Sequence, residues 1–129
     1  MVIDSSALIA ILSNEAESGD FAAAIEADPI RLISAASLLE TAIVIEARHG
    51  LAGGIKLDEL VEIAQISIVA VSAEQITLAR IAFREFGKGR HPAGLNFGDC
   101  FSFALAKLHG EALLFKGNDF SQTDIRAVV

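Results

Sequence analysis

At 129 residues and 53% hydrophobic content, the chain has the length of one compact domain, 1–129, with enough apolar matter to fill a core. Its net charge of −7 argues against a protein that coats nucleic acid through general positive charge, because phosphate contacts draw on Lys and Arg. The single cysteine, Cys100, excludes an internal disulfide, and no stretch reaches the ~18 uncharged apolar residues of a membrane span.

Met1 to Asp4 reads as a short strand running into an Asp-Ser-Ser turn, followed by helices over Ala7–Leu12 and Phe21–Ala27. Arg31–Ser34 is a second short strand. Ala36–Arg48 is a strong helix that Gly50 ends as a C-cap glycine would. A helix over Leu57–Ile66 leads into a β-branched strand, Ile68–Val71. Glu74–Phe86 carries Ile76, Ala79 and Phe83 on one stripe of a helix. Gly87–Gly98 is a glycine-rich loop. A helix from about Gly98 to His109 places Phe101, Ala104, Leu105 and Leu108 at core spacing. Ala112–Phe115 is a strand, and Ile125–Val129 a candidate last one. Strands alternating with helices imply an α/β fold: a parallel sheet with helices on both faces.

In open α/β sheets, ligands bind beyond the carboxyl ends of the strands. Asp4 sits at such an end, and Asp119 lies shortly after another. Asp99 opens a helix, and Glu40 lies in the first turns of a helix that follows a strand. Each acid also has a plainer reading. Asp4 can simply begin a turn, as can Asp119. Asn96 as N-cap with Asp99 three positions on imitates a capping box. Glu40 shares its helical face with Ala36, Ile43, Val44 and Ala47, and a buried carboxylate costs several kcal/mol unless paired or metal-bound. A ligand role answers that cost; pairing with a distant base such as Arg80 is the alternative. Carboxylates without His or Cys select hard cations, Mg²⁺ or Mn²⁺. His49 and His109 end helices, where a cation suits the dipole. Cys100 reads as a small packed residue, and Ser5 and Ser6 have no base nearby in sequence.

Positive charge is scarce but uneven: Arg80, Arg84, Lys88 and Arg90 put four of the ten Lys and Arg residues within eleven positions, with His91 beside them. Lys116 precedes Asp119. These charges are either a solvated face or a cationic rim where phosphates dock beside an acidic pocket.

Four segments together, Val2–Leu8 (VIDSSAL), Ser37–Glu40 (SLLE), Leu95–Cys100 (LNFGDC) and Leu113–Phe120 (LLFKGNDF), resemble the PIN-domain ribonucleases, and specifically the VapC-type toxins of type II toxin–antitoxin modules. The resemblance covers nearly the whole chain. It implies a three-layer fold around about five parallel strands. It also implies Mg²⁺-dependent cleavage of tRNA or another structured RNA by a homodimer that a cognate antitoxin neutralises. Asp4 and Asp99 match the principal metal ligands, Glu40 the third acid, and Ser6 the supporting hydroxyl. Asp119 falls in the fourth acidic motif, but many relatives carry their acid two positions earlier, where this chain has Gly117. With Asp4 interrupting any leader and no disulfide, a reducing cytoplasm is the expected compartment.

Other α/β readings fit less well. A receiver module wants an acidic pair after the first strand and an acceptor Asp after the third, where this chain has Val71-Ser-Ala. A haloacid-dehalogenase-type phosphatase wants an Asp where Ser6 stands. A dinucleotide-binding fold lacks its glycine-rich first turn. The strongest rival is a catalytically inert PIN-like module that serves only to bind a protein partner.

Overall fold

The computed structural model describes residues 1–129. β1 (Val2–Ile3), β2 (Leu32–Ser34), β3 (Ser67–Val69) and β4 (Leu113–Leu114) form one sheet in the order β3-β2-β1-β4, and every pairing is parallel. Parallel neighbours need crossover connections, here supplied by α1 (Ser5–Leu12), α2 (Ser18–Ala27), α3 (Ala35–Ile63), α4 (Ala73–Phe86) and α5 (Phe97–His109). The sequence leads one to expect about five strands, and four form. The fifth candidate shrinks to a single parallel bridge, Leu113 with Ala127, because only Leu113 exchanges backbone hydrogen bonds with that segment.

Alternation along the strands splits the core in two. Val2 and Leu113 belong to one cluster, with Ala79 and Ala82 of α4 and Phe103 and Leu105 of α5. Ile3 and Leu114 belong to the other, with Leu8 of α1, Phe21 and Ile25 of α2, and Leu57 of α3. The sheet is therefore the middle of three layers. Each fully buried Leu or Ile contributes about 1.5–3 kcal/mol through burial.

One helical expectation holds and another changes in part. The first arm of α3 ends at Gly50, where the sequence placed the helix end; with φ 69° the residue leaves the helical conformation, and a second arm begins at once. Glycine tolerates that left-handed φ without the Cβ clash other residues meet. In α4, Ala79 enters the core as expected, whereas Ile76 (41% exposed) and Phe83 (37%) do not; Ala82 joins Ala79 there, and the polar Gln75 is buried beside them.

The chain turns in opposite directions from β1: β2 and β3 lie on one side and β4 on the other. Such a switch point leaves a crevice beyond the carboxyl ends of β1 and β4. Asp4 directly follows β1, and its N–H donates to Leu114 O across the gap at 2.9 Å.

Candidate active site

Asp4 is 2% exposed and caps α1. Its Oδ2 accepts from Ser6 N–H (3.0 Å) and Ser6 Oγ (2.7 Å), while Oδ1 accepts from Ser102 Oγ at 2.5 Å. Ser6 Oγ in turn accepts the backbone N–H of Lys116 at 3.0 Å, which ties the residues after β4 to those after β1. Ser102 lies on α5, one turn beyond Asp99.

Asp99 stands at the third position of α5, inside a complete capping box. Its N–H donates to Asn96 Oδ1 (2.9 Å), and its Oδ2 accepts from Asn96 N–H (3.0 Å). The capping and ligand readings thus coexist, since Asp99 Oδ1 takes no hydrogen bond. Burial pushes the Asp99 carboxyl up to about 7, and the charges of Asp4, Asp119 and Glu40 add to the rise against the Asn96 hydrogen bond. Asp99 therefore feels the charge of three acids, the most distant 95 positions away in sequence (99 − 4).

Glu40 joins the other two. Its Oε1 accepts from Ser5 Oγ at 2.7 Å, and Ser5 follows Asp4. Its carboxylate rests on Gly98, which precedes Asp99; a Cβ there would come within 2.8 Å of Glu40 Cδ. The apolar face expected around Glu40 is present but open: Leu39 (62% exposed) and Ile43 (61%) line a groove with Phe97 and Phe101. Arg80 makes no ion pair with Glu40. Asp119 is exposed at the rim and caps nothing. Gly117, two residues earlier, has φ 102°, a conformation that disfavours an acidic side chain there.

The cations divide into two groups. Arg80, Arg84 and Arg90 line a cavity of about 530 Å³ with Ile76, Phe83, Phe97 and Phe101, and none of the three forms an ion pair. Lys88 is exposed beside them. His91 is half-buried, edge-on to Phe86, with Nδ1 accepting from Ala93 N–H at 3.0 Å. Lys116 differs, because its ammonium sits between Glu15 and Glu17. Cys100 is buried, and desolvation followed by the Asp99 charge pushes its thiol up to about 11, so it stays protonated and packed.

Sequence reasoning assigned no role to Ser37, Ser102 or Gly98, and considered Ser5 only as a nucleophile. Ser102 left a signal, as the one hydroxyl on the apolar stretch Cys100–Ala106 of α5 and one turn from Asp99. Ser5 left none, since only the fold separates its direction from that of Ser6.

The donors are all carboxylate oxygens, which suits a hard divalent cation. Asp99 Oδ1, Glu40 Oε2 and both Asp119 oxygens accept no hydrogen bond. In this conformation no three acids are yet arranged to hold an ion, while Asp4 and one oxygen of Asp99 are held by hydroxyl and amide donors. The site fits a cation in chemistry and charge, with Asp99 Oδ1 and Glu40 Oε2 left without hydrogen-bond partners.

A family model described as PIN domain matches residues 1–126. Ribonuclease VapC30 of Mycobacterium tuberculosis is 59% identical over 128 residues, 99% of this chain and 98% of that one. Among solved structures, VapC20 of M. tuberculosis, described as a sarcin-ricin loop cleaving toxin, superposes with a TM-score of 0.79 at 19% identity, covering 96% of this chain and 95% of its own. A toxin–antitoxin complex from Klebsiella pneumoniae superposes with a TM-score of 0.71 at 20% identity, covering 95% and 92%.

Proposed function

The chain belongs to the PIN-domain family, and on that premise we propose that residues 1–129 act as a single-domain, metal-dependent endoribonuclease toxin. Its substrate is the phosphodiester backbone of tRNA or another structured RNA. Its partners are a second copy of itself and a cognate antitoxin, in the cytoplasm; no helix of the chain is long and apolar enough to cross a membrane. Relatives of near-equal length named as ribonucleases support the activity, and the superposed toxin–antitoxin complex supports the antitoxin.

One observation carries the chemistry. Glu40 touches Ser5 and Gly98, the sequence neighbours of Asp4 and Asp99, while Asp4 accepts from Ser102 on the helix that Asp99 opens. These contacts support a reading in which three acids from distant segments serve one site beyond the switch point. Mg²⁺, or Mn²⁺ in its place, supplies charge neutralisation at the scissile phosphate and a more acidic water when bound. Asp4 and Asp99 offer oxygens on fixed supports, the first held by two hydroxyls and the second by its capping box. Glu40 Oε2 is free to orient the attacking water. Asp119, exposed at the rim, acts through water. Water attacks phosphorus, the P–O3′ bond breaks, and the products are a 5′-phosphate and a 3′-hydroxyl. Arg80, Arg84, Lys88, Arg90 and His91 take flanking phosphates; Lys116 joins them only by releasing Glu15 and Glu17.

The rival reading is an inert module that only binds a protein partner. Purified protein incubated with structured RNA and Mg²⁺ separates the two. Cleavage is expected, suppressed by EDTA and lost in Asp4→Asn and Asp99→Asn at unchanged secondary structure. Full activity in either variant overturns the assignment, as does a wild type that neither cleaves RNA nor binds Mn²⁺.

A further inference from the structure

Ser102 and Ser37 are 0% and 1% exposed, and they lie on different helices, α5 and α3. Ser102 Oγ is 2.5 Å from Asp4 Oδ1 and 3.0 Å from Ser37 Oγ. A serine hydroxyl has one proton, and an ionised carboxylate only accepts. The Ser102 proton is therefore committed to Asp4, which leaves Ser37 as the donor in the serine pair. The hydrogen bonds run one way: Ser37 to Ser102 to Asp4 Oδ1. A second directed run reaches the other oxygen, from Lys116 N–H to Ser6 Oγ to Asp4 Oδ2. A donor that is itself hydrogen-bonded donates more strongly, so each run polarises toward the carboxylate.

We infer that Ser102, oriented by Ser37, is a positioning residue that fixes the Asp4 carboxylate for a divalent cation; this rests on the metal-dependent reading above. The two runs clamp Asp4 from opposite sides, so its torsion is set before any ion arrives. Thr41 is also buried in this region but takes no part, because its hydroxyl is turned back to Ser37 O at 2.7 Å. Ser37 touches no acid in this arrangement and acts only through Ser102.

That order gives a test distinct from simple packing. Mn²⁺ affinity is measured on the full chain by electron paramagnetic resonance for wild type, Ser37→Ala, Ser102→Ala and the double variant. Melting in EDTA is followed in parallel. Supporting partners of metal ligands typically change affinity 10–100-fold, so Ser102→Ala is expected to weaken Mn²⁺ binding about tenfold. Ser37→Ala, which removes only the upstream polarisation, is expected to weaken it about two- to threefold. The double variant is expected to match Ser102→Ala alone, because losses along one chain do not add. Ser37→Ala tests the idea even where Ser102→Ala unfolds. The inference is overturned by unchanged Mn²⁺ affinity in folded Ser102→Ala, by additive losses, by unchanged affinity in Ser37→Ala, or by a wild type that binds no Mn²⁺. Wild type that binds Mn²⁺ in this graded way yet leaves RNA intact overturns the ribonuclease reading and supports the positioning role.

Discussion

Asp99 shows how one side chain can serve fold and chemistry in opposite senses. Its capping box stabilises the start of α5, while burial and three neighbouring acids make its charge costly, which raises its pKa to about 7. Unfolded, an Asp ionises near pH 4. Between about pH 4 and 7 the folded chain keeps a proton that the unfolded chain has lost, so stability falls as pH rises across this window. In EDTA, the melting temperature is therefore expected to drop from pH 5 to 7.5, and Asp99→Asn to flatten the drop. Equal pH slopes in the two proteins would contradict the shift. Gly98 makes a sharper test of geometry, because it has no Cβ where the Glu40 carboxylate lies. Gly98→Ala is expected to displace Glu40 and cut RNA cleavage steeply with little change in melting, read from kcat against the thermal midpoint.

Among the elements, α5 does the most. Its first turn carries Asp99, its second Ser102, and its middle fills the core through Phe103 and Leu105. Leu105→Ala should therefore destabilise by about 2–5 kcal/mol, as truncation of a fully buried leucine does, measured by urea unfolding. A loss near zero would mean that the layer between α5 and the sheet is loosely packed. α3 illustrates the opposite economy, in which one backbone angle shapes a long element. With φ at 69°, Gly50 makes the kink between its two arms. Gly50→Ala should cost about 1–2 kcal/mol by chemical denaturation, because a Cβ is strained at that φ.

For the whole molecule, charge and apolar surface are the features that face outward. A chain of net charge −7 gathers Arg80, Arg84 and Arg90, free of ion pairs, around one cavity. RNA affinity is therefore expected to fall with added salt, and Arg80→Ala with Arg84→Ala to flatten that slope, measured by filter binding. A salt slope unchanged by both substitutions would move the phosphate contacts elsewhere. Next to this rim, Phe97 is 80% exposed and continues an apolar surface with Leu39 and Ile43. A patch of this kind on a folded protein marks an interaction face. For the proposed homodimer, Phe97→Glu is expected to shift sedimentation toward monomer, and a dimer that persists in the variant would place the self-contact on another face.

The sequence alone determined what local patterning controls. Short apolar strands, an amphipathic α5, and acids placed after strands (Asp4, Asp119) or near helix starts (Glu40, Asp99) led to the α/β class and the list of acids, because strand and helix periods are written in neighbouring residues. Even the capping box at Asn96 and Asp99 was legible, since both partners lie within four positions. The tertiary structure decided what depends on contacts across the chain. It left the final segment one bridge instead of a strand, turned Ile76 and Phe83 outward, and brought Ser102 to Asp4 across 98 positions. The physical reason is direction: a hydroxyl or a carboxylate has no side it must face until a distant element fixes where its partner stands.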